Sequence, residues 1–202
     1  MGSKERKERD KAKRKQDILQ AARAIAKEEG WQAVTIRKIA SSIEYSPPTV
    51  YEHFESKDAI LLELMLEGYR HLLEQLEGAS TGKGQPEQRL FAILDRYWEF
   101  AWDHSDLYQV MHGLGGVPFG TSETPAEAKE VFQAIRAAVG EALGDSAGKS
   151  PALRDRTDMV WATVHGFIVL SQSGRIAEGK ERAAGLVHAA VADLLRAWRR
   201  QD

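Results

Sequence analysis

Apolar residues recur at helical spacing through almost the whole chain, and no segment shows the strict alternation that is typical of a strand. The first amphipathic segment covers residues 11–29, and Gly30 ends it. Two short segments follow at 35–42 and 47–53, and Ser56 then caps a longer helix. The pattern predicts an all-α protein of about nine helices, three in a first part and six in the remainder.

The later helices are predicted from caps and from glycine or proline breaks. They cover about 86–104, 105–113, 125–143, 151–174 and 180–200. Thr124 and Glu127 have the spacing of a capping box, so a helix is expected to begin at Pro125. The Gly-rich segment 113–124 predicts a long irregular connection, of the kind that can cover a pocket as a mobile lid.

Composition narrows the class of protein. The 202 residues contain no cysteine, which excludes disulfides and thiolate metal sites. No apolar run approaches the roughly 20 residues of a membrane span, and the N-terminus lacks the apolar core of a secretory signal. We therefore expect a cytoplasmic protein that contacts no membrane and needs no cofactor.

Charge is distributed unevenly along the chain. The formal net charge is −2, yet the first fifteen residues carry eight Lys or Arg side chains against three acidic ones. We expect residues 1–10 to form a flexible basic arm that contacts phosphate at one end of the protein. A charge run that is merely solvated is the alternative.

The segment 31–58 predicts a helix-turn-helix. Ser46 is a good N-cap, because its hydroxyl can accept from the backbone N–H of Thr49. Pro47 and Pro48 suit the first helical turn, whose N–H groups have no partner within the helix. A helix this short is unstable alone, so it must pack on its neighbours and present its other face. That arrangement is typical of DNA-binding helix-turn-helix proteins.

This segment resembles the TetR (tetracycline-repressor) family of bacterial transcription regulators. The family pattern runs without gaps through Thr35, Ile39-Ala40, Ser46, Pro47, Thr49, Val50, Tyr51, His53-Phe54 and Lys57. Two positions depart from it, because Glu44 stands where the family usually has Gly and Tyr45 where it has Val. Glu44 reaches a left-handed conformation less easily than Gly, and its charge would repel phosphate.

The resemblance implies which residues contact DNA. Those expected at phosphates carry a group that can donate to phosphate oxygen: Thr35, Tyr51, His53 and Lys57. Those expected at base edges lie at the amino end of the second helix: Ser46, Pro47, Pro48 and Thr49. Arg37 and Lys38, on the first helix of the pair, would add phosphate or groove contacts.

The resemblance also implies a two-domain organisation and a mechanism. Residues 11–55 would form the DNA-binding domain, and residues 56–202 a helical ligand-binding and dimerisation domain. Such a protein binds a near-palindromic double-stranded operator as a dimer, represses transcription, and is released by a small-molecule effector. It would be nucleoid-associated in a bacterial cytoplasm.

Aromatic and polar residues in the second part predict a pocket for an effector that is partly apolar. The candidate ligand contacts are Trp98, Trp102, Tyr108, Met111, His112, Phe119, Trp161 and His165. Trp161, His165 and Gly166 also resemble the Trp…His-Gly signature of one TetR sensor subgroup. An ordinary helix-bundle core is the alternative for each of these aromatic residues.

The last two helices are the expected dimer surface, by the same resemblance. Their apolar area comes from Phe167, Ile168, Leu170, Leu186, Val187, Val191, Leu194, Leu195 and Trp198. Packing within one chain would use some of these residues, which is the alternative.

Other functional classes have less support in the residues. A small-molecule-binding protein that kept the fold and lost DNA recognition stays open, because Glu44 and the mild net charge are compatible with it. A helical enzyme would need a catalytic motif, and the chain has no Gly-rich phosphate loop or nucleophile elbow. The histidines lack the tight spacing of a metal site, so we predict neither catalysis nor a bound metal.

Overall fold

The computed structural model describes residues 3–80, 84–113, 121–145 and 148–200. Within these ranges every regular element is helical, which confirms the all-α prediction. The α-helices are α1 (Ser3–Glu29), α2 (Ile36–Ser42), α3 (Pro47–Tyr51), α4 (Lys57–Ser80), α5 (Pro86–Asp103), α6 (Ser105–Gly113), α7 (Ala126–Ala142), α8 (Leu153–Gln172) and α9 (Gly179–Trp198). A 3-10 turn, Trp31–Ala33, follows α1. None of the described helices is long and apolar enough to cross a membrane.

The chain forms two compact units. The first contains α1, α2, α3, α6 and the part of α4 that ends at Gly68. The second contains α4 from Tyr69 onward together with α5, α7, α8 and α9. The boundary therefore lies inside one continuous helix, and α6 belongs to the first unit, where it packs on α1, although it follows α5 in the chain.

The start of α1 differs from the predicted basic arm. The helix begins at Ser3, so residues 4–10 are helical, and the side chains from 4 to 14 are exposed. The irregular arm was expected from charge alone. That expectation gave too little weight to the helix propensity of Lys, Arg, Glu and Ala in a segment without Gly or Pro.

The start of α7 also differs from its prediction. Pro125 is the N-cap residue, and no side chain caps the helix. The hydroxyl of Thr124 instead accepts from the backbone N–H of Thr121 at 3.2 Å, so it is committed to the preceding turn. The predicted capping box at Thr124 and Glu127 is therefore wrong.

A small core holds the helix-turn-helix in place. Ile18 of α1, Ile39 of α2 and Val50 of α3 are all 0% exposed, and Phe54 after α3 is 5% exposed. Burying side chains of this size contributes roughly 1.5–3 kcal/mol each. A five-residue helix such as α3 depends on this packing, since so few residues cannot sustain a helix in water.

Candidate DNA-binding surface and sensor residues

Helix α3 is fixed by the cap that the sequence predicts. The Ser46 hydroxyl accepts from the backbone N–H of Thr49 at 3.3 Å, and the two hydroxyl oxygens lie 2.9 Å apart. Pro47 occupies the first helical turn. These contacts set the positions of the hydroxyl groups at the amino end of the helix, where base-edge contact is expected.

Helix α2 and the turn after it are anchored by side chains as well. The Thr35 hydroxyl caps α2 by accepting from the backbone N–H of Lys38 at 3.2 Å. The Tyr45 hydroxyl donates to Asp17 Oδ2 of α1 at 3.2 Å. Desolvation, and then the hydrogen bond to Asp17, raise the pKa of Tyr45, so the hydroxyl stays protonated and remains a donor.

Glu44 occupies the position where the family usually has glycine. Its φ is 57°, in the left-handed region, and its side chain is exposed. The turn thus keeps a glycine-like conformation without glycine, at a cost of roughly 1–2 kcal/mol for an L-residue.

Replacing Glu44 by glycine is expected to raise the free energy of unfolding by about 0.5–1 kcal/mol. The strain that is relieved exceeds the roughly 0.5–1 kcal/mol that the extra freedom of glycine costs in the unfolded chain. Urea unfolding of Glu44→Gly and Glu44→Ala separates strain from charge, because alanine removes the charge and keeps the Cβ. If Glu44→Gly were no more stable than Glu44→Ala, the strain at this turn would not exceed the entropic cost of glycine, and the prediction would be wrong.

Most of the residues predicted to contact DNA have side chains that are exposed to solvent. Six of them are exposed: Thr35, Arg37, Lys38, Ser46, Pro48 and Tyr51. Four are half-buried: Pro47, Thr49, His53 and Lys57. The Tyr51 side chain is 55% exposed, so it contributes little to the core and is free to contact another molecule.

Two of the cations in this set have partners within the chain. Lys38 Nζ lies 2.6 Å from Glu29 Oε2, which neutralises its charge locally. Lys57 Nζ donates to the carbonyl oxygen of Trp31 at 2.9 Å. Because a carbonyl is neutral, Lys57 is held in place with its positive charge uncompensated by that contact.

Four of the predicted sensor residues lie in the second unit, in two pairs. The ring centroids of Trp98 and Trp102 on α5 are 6.1 Å apart, and both indole Nε1 atoms are buried without a hydrogen-bond partner among the described residues. Trp161 and His165 stack on α8 at 5.4 Å. Trp161 Nε1 donates to the hydroxyl of Tyr97 at 3.0 Å. Tyr97 was not among the predicted site residues, although it directly precedes Trp98.

Burial lowers the pKa of His165 from its ordinary value of 6.5. The folded protein therefore takes up this proton less readily than the unfolded chain does. As pH falls below about 6.5, the contribution of this residue to the free energy of unfolding should decrease.

A His165→Gln variant is therefore expected to lose less stability than the parent between pH 7.5 and pH 5.5. The measurement is urea unfolding of both proteins at the two pH values. If the two proteins lost equal amounts, the burial of His165 would not be linked to its protonation.

Among the described residues, the other predicted ligand contacts are not placed in the second unit beside these two pairs. Tyr108 and His112 lie on α6 in the first unit, with ring centroids 4.4 Å apart. Met111 packs against Gly68 of α4 so closely that a Cβ at Gly68 would lie 2.6 Å from the Met111 sulfur. Phe119, with most of the predicted lid, lies outside the described residues. The ligand role of all these residues stays a prediction.

Asp106 on α6 is a structural centre of the first unit that sequence analysis missed. Its side chain is 1% exposed, and Arg23 Nε of α1 donates to it at 2.6 Å. Lys27 Nζ lies 3.7 Å from its other oxygen, and Trp31 Nε1 donates to its backbone carbonyl at 3.0 Å. These partners are 75 or more residues away in sequence, so no local pattern could reveal them.

Comparison with known proteins supports the reading of both units. Residues 18–64 match the bacterial regulatory proteins of the tetR family, and residues 90–194 match the tetracyclin repressor-like C-terminal domain. The match to this C-terminal family leaves the resemblance to the Trp…His-Gly subgroup a prediction. An uncharacterized HTH-type transcriptional regulator of Bacillus subtilis is 26% identical over 46% of this chain and 48% of its own. The chain thus spans about half the length of that relative.

Solved structures share the fold over nearly the whole chain. A Rhodococcus protein of unknown function has a TM-score of 0.75 at 22% identity, with 91% of this chain and 94% of that one covered. The transcriptional regulator FadR of Bacillus subtilis, in complex with stearoyl-CoA, has a TM-score of 0.69 at 16% identity, with coverages of 87% and 96%. The helix-turn-helix, the all-helical second unit and both family matches together show that this chain belongs to the TetR family of bacterial transcription regulators.

Proposed function

We propose that the protein is a homodimeric repressor that binds a near-palindromic operator and is released by a small-molecule effector. The observation that carries the proposal is that α3 is packed on one side and exposed to solvent on the other. Its apolar side packs through Val50, whereas Ser46, Pro48 and Tyr51 face solvent. A helix held this way is suited to the major groove, and two copies would enter successive grooves roughly 34 Å apart.

Basic residues around α3 support phosphate contact. Arg37 is exposed on α2, and Lys57 is held at the start of α4 with its charge intact. The exposed basic side chains at the beginning of α1 would extend the contact along the DNA. Such contacts fix the register of the protein on the duplex, while α3 supplies sequence recognition.

The outer surface of α8 supports dimerisation through the last two helices. Of the nine apolar residues expected at this surface, five are buried within one chain: Ile168, Val187, Val191, Leu195 and Trp198. Leu170 stays 43% exposed, next to Val169 at 43%, and Met159 on the same helix is 52% exposed. Pairing with a second copy would remove this apolar area from water, at about 25 cal/mol per Å².

The effector would act by binding the free and DNA-bound conformers with different affinity, because equal affinity would shift nothing. The continuity of α4 through both units supports a lever between the effector site and the helix-turn-helix. The FadR structure holds stearoyl-CoA, a ligand with one long apolar chain, in a protein of this fold. We propose an effector that is at least partly apolar here.

The alternative function is a ligand-binding protein of this fold that no longer binds DNA, and the exposed Glu44 favours it. Fluorescence anisotropy on random-sequence duplex DNA at 50 and 200 mM salt separates the two. About six phosphate contacts predict roughly a thousandfold loss of affinity between these concentrations. If the protein bound no DNA at either concentration, the regulator proposal would be wrong and the alternative supported.

A further inference from the structure

A groove of about 960 Å³ lies in the second unit between α4, α5 and α9. Its charged lining contains five carboxylates, Glu74, Asp95, Glu99, Asp103 and Glu181, against two cations, Arg96 and Lys180. The formal charge of the lining is therefore five negative minus two positive, or −3. Trp98 also lines the groove.

Only part of this negative charge is compensated locally. Arg96 lies 2.6 Å from Glu99, and Asp95 Oδ1 lies 2.6 Å from His188 Nε2, a contact that compensates charge only when the imidazole is protonated. Among the described residues, the remaining three carboxylates have no cation within ion-pair distance: Glu74, Asp103 and Glu181. A ligand in the groove would meet a negative potential, which favours a cation and disfavours an anionic group.

Two tryptophans of α5 are relevant to what the groove could bind. Trp98 is only 5% exposed, yet its indole Nε1 has no hydrogen-bond partner among the described residues. Lys180, which lines the groove, has its ammonium 5.6 Å from the ring centroid of Trp102, about one helical turn after Trp98 on α5. The chain therefore already places one of its own cations over this ring, as a cation–π contact requires.

We propose that the groove binds an organic cation with an apolar group, such as an aryl or alkyl ammonium, which displaces Lys180 from the face of Trp102. The carboxylates would attract the charge, and the indole rings would cover the apolar group. An inorganic cation fits less well, because no group of three or more His, Asp or Glu side chains in the described residues could hold a metal ion. That this ligand is the effector rests on the proposed function, whereas its binding does not.

The test is isothermal titration of the full chain with benzyltrimethylammonium, without DNA. Lys180→Met removes the competing cation, so it should tighten binding about two- to fivefold. Trp102→Leu should weaken binding by a similar factor, and the Asp103→Asn, Glu181→Gln double variant should weaken it further. Glu130→Gln, which removes an exposed carboxylate of α7 outside the groove, should leave affinity unchanged.

Three matched probes make the result decisive: neutral benzyl alcohol, anionic benzoate and magnesium ion. The inference is supported if all three probes bind more weakly than benzyltrimethylammonium and Lys180→Met binds benzyltrimethylammonium more tightly than the parent does. It would be overturned if any of the three probes bound as tightly as benzyltrimethylammonium, or if benzyltrimethylammonium did not bind at all. It would also be overturned if Lys180→Met bound benzyltrimethylammonium more weakly than the parent does. Urea unfolding of each variant shows whether it is folded.

Failure of the groove assignment and failure of the proposed function would give different experimental results. A chain that shows this ligand pattern and binds no DNA contradicts the proposed function and leaves the groove assignment intact. A chain that binds DNA and lacks the ligand pattern contradicts only the groove assignment.

Discussion

Replacing Asp106 by alanine is expected to lower the free energy of unfolding by about 3 kcal/mol. The carboxylate is buried and accepts from Arg23, so its removal leaves a guanidinium with one ion-pair partner fewer. The loss should fall at the lower end of the range for buried pairs, because Arg23 is 21% exposed and also lies 3.2 Å from Glu67. Chemical denaturation followed by circular dichroism measures the change.

Glu29→Ala is the matched control for Asp106→Ala. The Lys38–Glu29 pair has the same 2.6 Å separation in the same unit, but both side chains are about half exposed. An exposed pair contributes about 0–1 kcal/mol, so this variant should be nearly as stable as the parent. If both variants lost equal stability, burial would not be what makes the Arg23–Asp106 pair important.

Replacing Tyr51 by alanine is expected to weaken operator binding by at least about a hundredfold. A hydrogen bond to a charged group contributes roughly 1.5–3 kcal/mol, and a dimer loses two of them. Because the side chain is 55% exposed, stability should change by no more than about 0.5 kcal/mol. Affinity is measured at constant salt on an operator sequence obtained by selecting random duplex DNA with the parent protein.

Two controls define the role of Tyr51. Tyr51→Phe keeps the ring and removes the hydroxyl, so it should reproduce most of the loss if the contact is a hydrogen bond to phosphate. Leu62→Ala truncates an exposed residue of α4, outside the helix-turn-helix, and should leave DNA affinity unchanged. Full operator affinity of a folded Tyr51→Ala dimer would show that the DNA-binding face lies elsewhere.

The helix-turn-helix could be predicted from sequence because its determinants are local. Ser46 and Thr35 each cap a helix through a bond to the third residue that follows. Pro47 marks the same helix start from its backbone chemistry alone. Interactions within one turn of chain depend little on the rest of the protein, so their pattern can be recognised in advance.

Contacts between distant parts of the chain could not be predicted in this way. The Arg23–Asp106 pair joins residues 83 apart, and the Trp161–Tyr97 hydrogen bond joins residues 64 apart. The placement of α6 in the first unit removes Tyr108 and His112 from the unit that holds the tryptophan pair. Helical periodicity shows which side of a helix is buried, but it does not show which helix covers that side.

The most direct test of DNA recognition is selection of random duplex DNA by the purified protein at two salt concentrations. We expect recovery of one near-palindrome whose half-sites lie about one helical turn apart, with enrichment lost as salt rises. Recovery of no preferred sequence at either salt concentration would contradict the assignment as a sequence-specific regulator.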